Sequence, residues 1–311
     1  MSIPASPIVL RPCTAARWCA AVVAAFSLTA SVSAQRWLSH ERHDLSTRWE
    51  LADSLRGRTF RLTPYKPVYM LPAVWSSSPN YRPYREGRPE SQLDSIPLNA
   101  TEFKFQLSFK LKAAQGLFKG KGDLWIGYTQ TSRWQLYNAE LSRPFRETNY
   151  EPEFILAFRT NYRLLGFTGR LFTVGLVHQS NGRSDPLSRS WNRIVVQIGL
   201  DRGRTTLLLR PWFRLPESPE VDENPDIEDL LGSGEFIAMH ALKRQLFTLQ
   251  ARLSVLNEPF HGGSIQGEWS FALTEDLKLH LQVFHGYGES MLDYNHEQTT
   301  IGIGITLLEW Q

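Results

Sequence analysis

Residues 103–112 read FKFQLSFKLK. The odd positions Phe103, Phe105, Leu107, Phe109 and Leu111 are apolar, and the even positions Lys104, Gln106, Ser108, Lys110 and Lys112 are polar. Successive side chains of a β-strand leave opposite faces, so a period of two predicts a strand with one greasy and one wet side. The same separation returns at Phe247, Leu249, Ala251 and Leu253 against Thr248, Gln250 and Arg252. It recurs at Leu277, Leu279, Leu281 and Val283 against Lys278, His280 and Gln282, and again through Ile301, Ile303, Ile305 and Leu307.

Runs of this kind number about twelve: 66–76, 101–112, 122–136, 150–162, 169–180, 190–201, 204–214, 233–242, 246–255, 264–273, 277–286 and 299–309. Turn-rich pieces separate them, such as Lys119-Gly120-Lys121-Gly122, Arg202-Gly203-Arg204 and the acidic stretch Pro216 to Asp229. An even number of amphipathic strands of this length suits an all-β, twelve-stranded antiparallel transmembrane β-barrel, since in lipid only a closed sheet leaves no unpaired backbone edge. Long charged residues on the polar faces (Lys104, Lys110, Arg252, Lys278) fit a wet lumen. Trp125, Tyr128, Trp134, Trp212 and Trp269 near strand ends fit interfacial girdles. A soluble two-sheet sandwich would alternate too. Pro211 either weakens its strand or marks a bulge.

Residues 1–34 have the form of a secretory leader: basic Arg11 and Arg17, the apolar run CAAVVAAFSL from Cys19 to Leu28, and the small-residue site Val32-Ser33-Ala34. The run is too short for a spanning helix, and no later stretch approaches the roughly 20 apolar residues needed. Cys13 and Cys19 both fall within the leader, which excludes a disulfide scaffold for the mature chain. A lipoprotein box around either cysteine is the alternative. Of 34 Lys and Arg, the leader removes Arg11 and Arg17, leaving 32 basic against 31 acidic residues, a net of +1 that argues for no nucleic-acid partner. Residues 35–61 alternate poorly and are expected to form an N-terminal periplasmic segment ahead of a barrel at 62–311.

One polar stretch, HQSNGRSDPLSRSWNR from His178 to Arg193, carries the candidate chemistry. His178 and Ser180 share parity with Phe172, Val174 and Leu176, whereas Thr173, Gly175 and Gln179 share the other face with Leu171 and Val177. Asn192 shares parity with Ile194, Val196, Ile198 and Leu200, opposite Arg193, Gln197 and Asp201. All three polar residues therefore lie on the greasy side, where polar groups need partners and usually a purpose. A lone H-x-S pair is otherwise an ordinary lumen or loop feature. Residues two apart on a strand point the same way, with Cα atoms roughly 6.5–7 Å apart, so imidazole and hydroxyl can meet. His178 would take the Ser180 proton, and Asn192, one strand over, could hold the other ring nitrogen.

The run HQSNGRSDPLSRSWNR resembles the active-site signature of the outer-membrane phospholipase A family. YTQTSRWQLYNAELSRPFRETNYEPE (Tyr128 to Glu153), NPDI (Asn224 to Ile227) and GYGESMLDYN (Gly286 to Asn295) resemble that family in the same order. The resemblance implies a twelve-stranded barrel that hydrolyses phospholipid acyl esters in the outer membrane, depends on calcium and acts as a homodimer. It makes Ser180 the nucleophile, His178 the base, Asn192 its orienting partner and the Gly182 N–H part of the oxyanion hole. It implies calcium ligands at the Arg183 carbonyl, the Ser188 hydroxyl and the partner subunit's Ser142 carbonyl, together with waters. A second calcium site in the family uses two aspartates; here Asp185 stands at one position and Glu223 at the other, which puts that site in doubt. Gln130 shares parity with Leu124, Ile126 and Tyr128, and the resemblance gives it an interface hydrogen bond; the alternative is an amide that snorkels to water. The chain also ends Trp310-Gln311, where outer-membrane barrel chains usually end on an aromatic residue.

No phosphate loop, G-x-S-x-G elbow or H-E-x-x-H pair occurs. His240, His261 and His280 lack ligand spacing, and Asp222, Glu223 and Asp226 read as a solvated acidic loop. The competing functions are a passive outer-membrane channel or structural barrel, which gives no reason for His178, Ser180, Asn192 and Gln130 to face lipid, and a soluble esterase, which would need no membrane.

Overall fold

In a computed structural model, which describes residues 44–83, 95–253, 262–274 and 277–308, the alternating runs become one antiparallel sheet that closes on itself. Its segments are β1 (Leu62–Pro64), β2 (Val68–Ser76), β3 (Thr101–Gly116), β4 (Gly122–Trp134), β5 (Phe145–Leu164), β6 (Phe167–Ser180), β7 (Ser190–Arg202), β8 (Thr205–Arg214), β9 (Gly234–Leu242), β10 (Gln245–Leu253), β11 (Ser264–Ala272), β12 (Lys278–Gly286) and β13 (Gln298–Leu308). β1 and β2 pair with the same edge of β3, through Leu62↔Leu111 and Tyr69↔Gln106, so they are two pieces of one barrel strand. Pairing of β2 with β13 (Trp75↔Ile301) closes a twelve-stranded barrel. The leader 1–34 with Cys13 and Cys19, residues 35–43, His261 and Trp310-Gln311 lie outside the described residues.

Alternation sorts the side chains. Leu107, Phe154, Leu176, Leu209, Phe213 and Ile303 are exposed on the outer face, as a lipid-facing belt requires. Lys104, Lys110, Lys112, Thr129, Arg133 and Glu153 are buried on the inner one. Two of the expected girdle residues point the other way: Trp125 (1% exposed) and Trp212 (5%) are inside the barrel, because their parity is that of Arg133 and Arg210. Pro211 does not end β8. It stands opposite Gly234, where a Cβ would approach the Pro211 Cα to 3.2 Å, and the β7–β8 register is the same on both sides of it.

Short turns close one end, at Leu165-Gly166, Gly203-Arg204 and Lys243-Arg244, and longer loops close the other. Near the short turns, residues 44–50 enter the barrel. Asp44 caps the single-turn helix α1 (Leu45–Arg48) by accepting from the Thr47 N–H at 2.8 Å. One turn carries Leu45 and Trp49 to the same side, where they pack with Trp125, Ile155, Leu171 and Ile237. Trp49 also lies 3.8 Å beneath the Lys110 Nζ, which has no hydrogen-bond partner among the described residues. A desolvated ammonium over indole gains about 2 kcal/mol, so Trp49 offsets part of the cost of burying that charge. Glu50 accepts from Lys112 at 2.7 Å and from the Gly57 N–H at 2.7 Å, which fixes the segment as it leaves the lumen.

At the opposite end, the loop 287–297 folds back over the lumen. Met291 and Tyr294 bury against Val177, Trp191, Trp212 and the helix α2 (Ile227–Leu231). Its backbone is held by side chains of β5: Met291 N–H donates to Asn149 Oδ1 at 3.2 Å and Leu292 N–H to Glu147 Oε1 at 2.8 Å. The same loop is held by an ionic cluster, in which Lys104 meets Glu289 at 2.9 Å, Arg133 meets Glu289 at 3.0 Å, and Arg146 bridges Glu102 and Asp293. A cavity of about 160 Å³ remains, ringed by Lys66, Glu151, Arg193, Arg210, Glu235 and Glu268.

Burial alone would raise the Asp293 pKa, but Arg146 and Arg133, with hydrogen bonds from Ser290 and Arg146, pull it down to about 2. A depressed carboxylate stabilises the fold above its unfolded pKa of about 3.9 and loses that contribution as pH falls toward the folded value. The protein should therefore lose stability between about pH 4 and pH 2, and Asp293→Asn should lose less over the same window. Guanidinium midpoints at stepped pH in detergent would read this; parallel curves for the two proteins would remove Asp293 from the effect.

Candidate active site

The β6–β7 ladder puts His178 opposite Asn192 and Ser180 opposite Ser190. His178 is exposed and Ser180 and Asn192 are half-buried, on the outer face with Val174, Leu176 and Ile194, while Val177, Gln179, Trp191 and Arg193 fill the inside. The two parity assignments thus meet on one patch. His178 Nδ1 is 2.9 Å from Asn192 Oδ1. An amide oxygen only accepts, so Nδ1 carries the proton and Nε2 keeps the lone pair a general base needs. Ser180 lies two residues on, on the same face, and its hydroxyl makes no hydrogen bond among the described residues.

Beyond Ser180 the chain enters a tight loop, 181–189, organised from within. Asn181 Oδ1 accepts the Arg183 and Arg189 N–H groups at 3.2 and 3.0 Å, and its Nδ2 donates to the Leu187 carbonyl at 2.8 Å. The buried Arg189 guanidinium ties down the Pro186 and Ser188 carbonyls and packs on the Tyr294 ring, so the interior plug braces the outer loop. Gly182 has φ +61°, and a Cβ there would sit 3.0 Å from the Tyr150 ring. Glycine is therefore required on two counts. The Gly182 N–H is left free among the described residues, beside Ser180, where it could donate to an oxyanion.

The expected metal-site residues are spread more widely. The Arg183 carbonyl and Ser188 hydroxyl are in this loop and take part in no hydrogen bond among the described residues; oxygen donors of this kind suit a hard cation. Ser142 is in another loop, between β4 and β5, at φ +58°. Asp185 is exposed and Glu223 accepts the Ser190 hydroxyl at 3.2 Å. No cluster of three His, Cys, Asp or Glu able to hold a metal occurs among the described residues. Gln130 is on the outer face as its parity requires, and its amide is engaged within the chain: Tyr128 OH donates to it at 2.9 Å and it donates to Ser132 Oγ at 3.3 Å.

The acidic loop after β8 proves to be structural. Asp222 binds Arg214 at 2.7 Å, Asp226 accepts from Tyr294 OH at 2.7 Å, and Glu217 accepts from Asn192 Nδ2 at 2.9 Å. The Glu217 contact was invisible in the sequence, since it joins residues 25 apart through a loop without periodicity. His240 faces outward and bonds Thr205, while His280 is buried in the lumen against the Tyr69 ring.

The closed antiparallel barrel with its apolar outer face is a membrane-spanning fold, and the relatives of this chain place it among the ester hydrolases. The phospholipase A1 family model matches residues 45–307, and the chain belongs to that family. It is 34% identical to a phospholipase A1 of Klebsiella pneumoniae over 291 residues, which cover 93% of this chain and 97% of that one. It is 39% identical to the phospholipase A1 of Escherichia coli K12 over 206 residues, 66% of this chain and 69% of that one. Among solved structures, the calcium-bound dimer of the Salmonella typhi outer membrane phospholipase superimposes with a TM-score of 0.73 at 34% identity, covering 82% of this chain and 95% of that one.

Proposed function

We propose that this protein is a calcium-dependent outer-membrane phospholipase of A1/A2 type, active as a homodimer, that cleaves phospholipid acyl esters with Ser180, His178 and Asn192. The observation that carries the reading is the His178–Asn192 hydrogen bond on the lipid-facing side of the barrel. Ser180 Oγ attacks the ester carbonyl carbon as His178 Nε2 takes its proton. His178 then returns that proton to the departing lysophospholipid alcohol; water, deprotonated by the same imidazole, attacks the acyl carbon, the acyl–Oγ bond breaks, and His178 gives the proton back to Ser180 Oγ as the fatty acid leaves. Asn192 holds the ring through Nδ1, and the Gly182 N–H donates to the developing oxyanion.

The Arg183 carbonyl and Ser188 hydroxyl would hold calcium together with the partner subunit's Ser142 carbonyl; the bound ion would offset the negative charge forming on the ester oxygen. Asp185 and Glu223 would form a weaker second site at most, because Glu223 already takes a hydrogen bond from Ser190. Gln130 would turn from its own strand to the partner on dimerisation. Residues 1–34 would direct export and be removed; of the described part of the expected periplasmic segment, residues 44–50 lie in the lumen, and only 51–61 would stand on the periplasmic side beside the short turns, where Arg56 donates to the Gly120 carbonyl at 3.2 Å. The filled lumen, stoppered by Trp49 and by Met291 and Tyr294, speaks against the passive-channel alternative.

The test is hydrolysis of mixed phospholipid–detergent micelles by the refolded protein. Activity should fall at least about tenfold on chelation of calcium and return when calcium, but not magnesium, is restored. Full activity in excess chelator would remove the ion from the reading.

A further inference from the structure

The geometry points to Glu217 as a fourth member of the site, a positioning residue that sets the orientation of the Asn192 amide and through it the tautomer of His178. This rests on the triad proposed above. The Asn192 amide could present either end to the imidazole, and with Nδ2 toward the ring, Nδ1 would carry the lone pair and Nε2 the proton, the wrong arrangement for taking a proton from Ser180. An ionised carboxylate only accepts. Because Glu217 Oε1 is 2.9 Å from Asn192 Nδ2, the amide must donate on that side and offer Oδ1 to His178 Nδ1 at 2.9 Å.

The chain is built to deliver that carboxylate. β8 ends at Arg214, and the next N–H, from Leu215, donates to the Asn192 carbonyl at 2.8 Å, bringing the loop alongside the very residue it serves. Pro216 and Pro219 flank Glu217 and restrict the backbone, and the turn is tied at its far side where the Val221 and Asp222 N–H groups meet the Ser218 carbonyl. Arg214 then clasps Asp222 at 2.7 Å and the Pro225 carbonyl at 3.2 Å. Glu217 is half-buried, so its charge is felt more than that of a freely solvated carboxylate. A neutral asparagine supports an imidazolium less well than an aspartate would. Glu217 supplies the missing negative charge one amide further away, where it does not sit bare against lipid.

The experiment is a double-variant cycle on refolded protein, with barrel folding checked by heat-modifiable gel mobility and the His178 tautomer read by imidazole ¹⁵N NMR. Glu217→Ala should lower kcat about tenfold with little change in KM, and should convert a single Nδ1–H tautomer into a mixture. Asn192→Asp alone sets two carboxylates face to face and should be severely impaired. Adding Glu217→Gln to it lets the glutamine amide donate to the new carboxylate and should recover at least about tenfold in kcat. A merely structural Glu217 gives additive losses and no recovery; that result, or an unaltered tautomer in folded Glu217→Ala, overturns the assignment. The tautomer readout does not use turnover, so it decides the role of Glu217 even if Ser180→Ala retains hydrolysis and the triad itself falls.

Discussion

Ser180→Ala should abolish phospholipid hydrolysis, with a fall in kcat of about four to six orders of magnitude and a barrel that still folds and still shows heat-modifiable mobility. The size follows from the division of labour at the site. In the mechanism proposed above, the hydroxyl is the nucleophile, and without it His178 and Asn192 would orient a base with nothing to activate, leaving only the Gly182 N–H and binding to assist water. Because Ser180 is half-buried on the outer face and makes no hydrogen bond among the described residues, alanine removes no structural contact, and any loss of turnover reports chemistry. Turnover within tenfold of the parent would mean that another residue attacks the ester.

Arg146→Ala should have the largest effect on stability, about 3–5 kcal/mol, because it strips a partner from two buried carboxylates at once. Trp134 pairs with Phe145 and Arg133 with Glu147, so Arg146 is the extra residue of a bulge, and this turns its side chain inward against the strand's parity. There it grips Glu102 with two nitrogens, at 2.9 and 3.0 Å, and Asp293 with the third at 3.0 Å. Without it, Asp293 loses the larger of the two charges that lower its pKa, and the loop 287–297 loses one of its ties to β5, leaving those from Asn149 and Glu147. The unfolding midpoint in guanidinium, followed by gel mobility, measures the change. A loss below about 1 kcal/mol would show that Arg133 alone neutralises the cluster.

Arg146 also marks where reading the sequence stops. Alternation located the strands to within a few residues, because parity is a local property of the chain and the lipid-facing side tolerates few exceptions. β5 was the main departure: it begins at Phe145, ahead of the expected 150, since the bulge breaks the pattern of its first residues. Parity also brought His178 and Asn192 to one face, and their contact is a short hydrogen bond in register. The loop oxygens proposed for calcium could not be found that way, because the Arg183 carbonyl has no residue type and the Ser188 hydroxyl is one serine in a loop without periodicity; both are what the family resemblance implies. Nor does a period of two say what fills a barrel. Leu45 and Trp49 enter the lumen from a single helical turn too short to register as a helix, and Trp125 and Trp212 looked like girdle residues until Trp49 and Tyr294 were seen packed beside them. Glu217 reaches Asn192 across a loop, a relation that only the folded chain displays.

The two stoppers, Trp49 at one mouth and Tyr294 at the other, bear on cell physiology. An open tube through the membrane would leak, and every copy would add to the leak. A barrel closed by packing at both ends adds no open path to the membrane, so the number of copies a cell keeps is not limited by the permeability barrier.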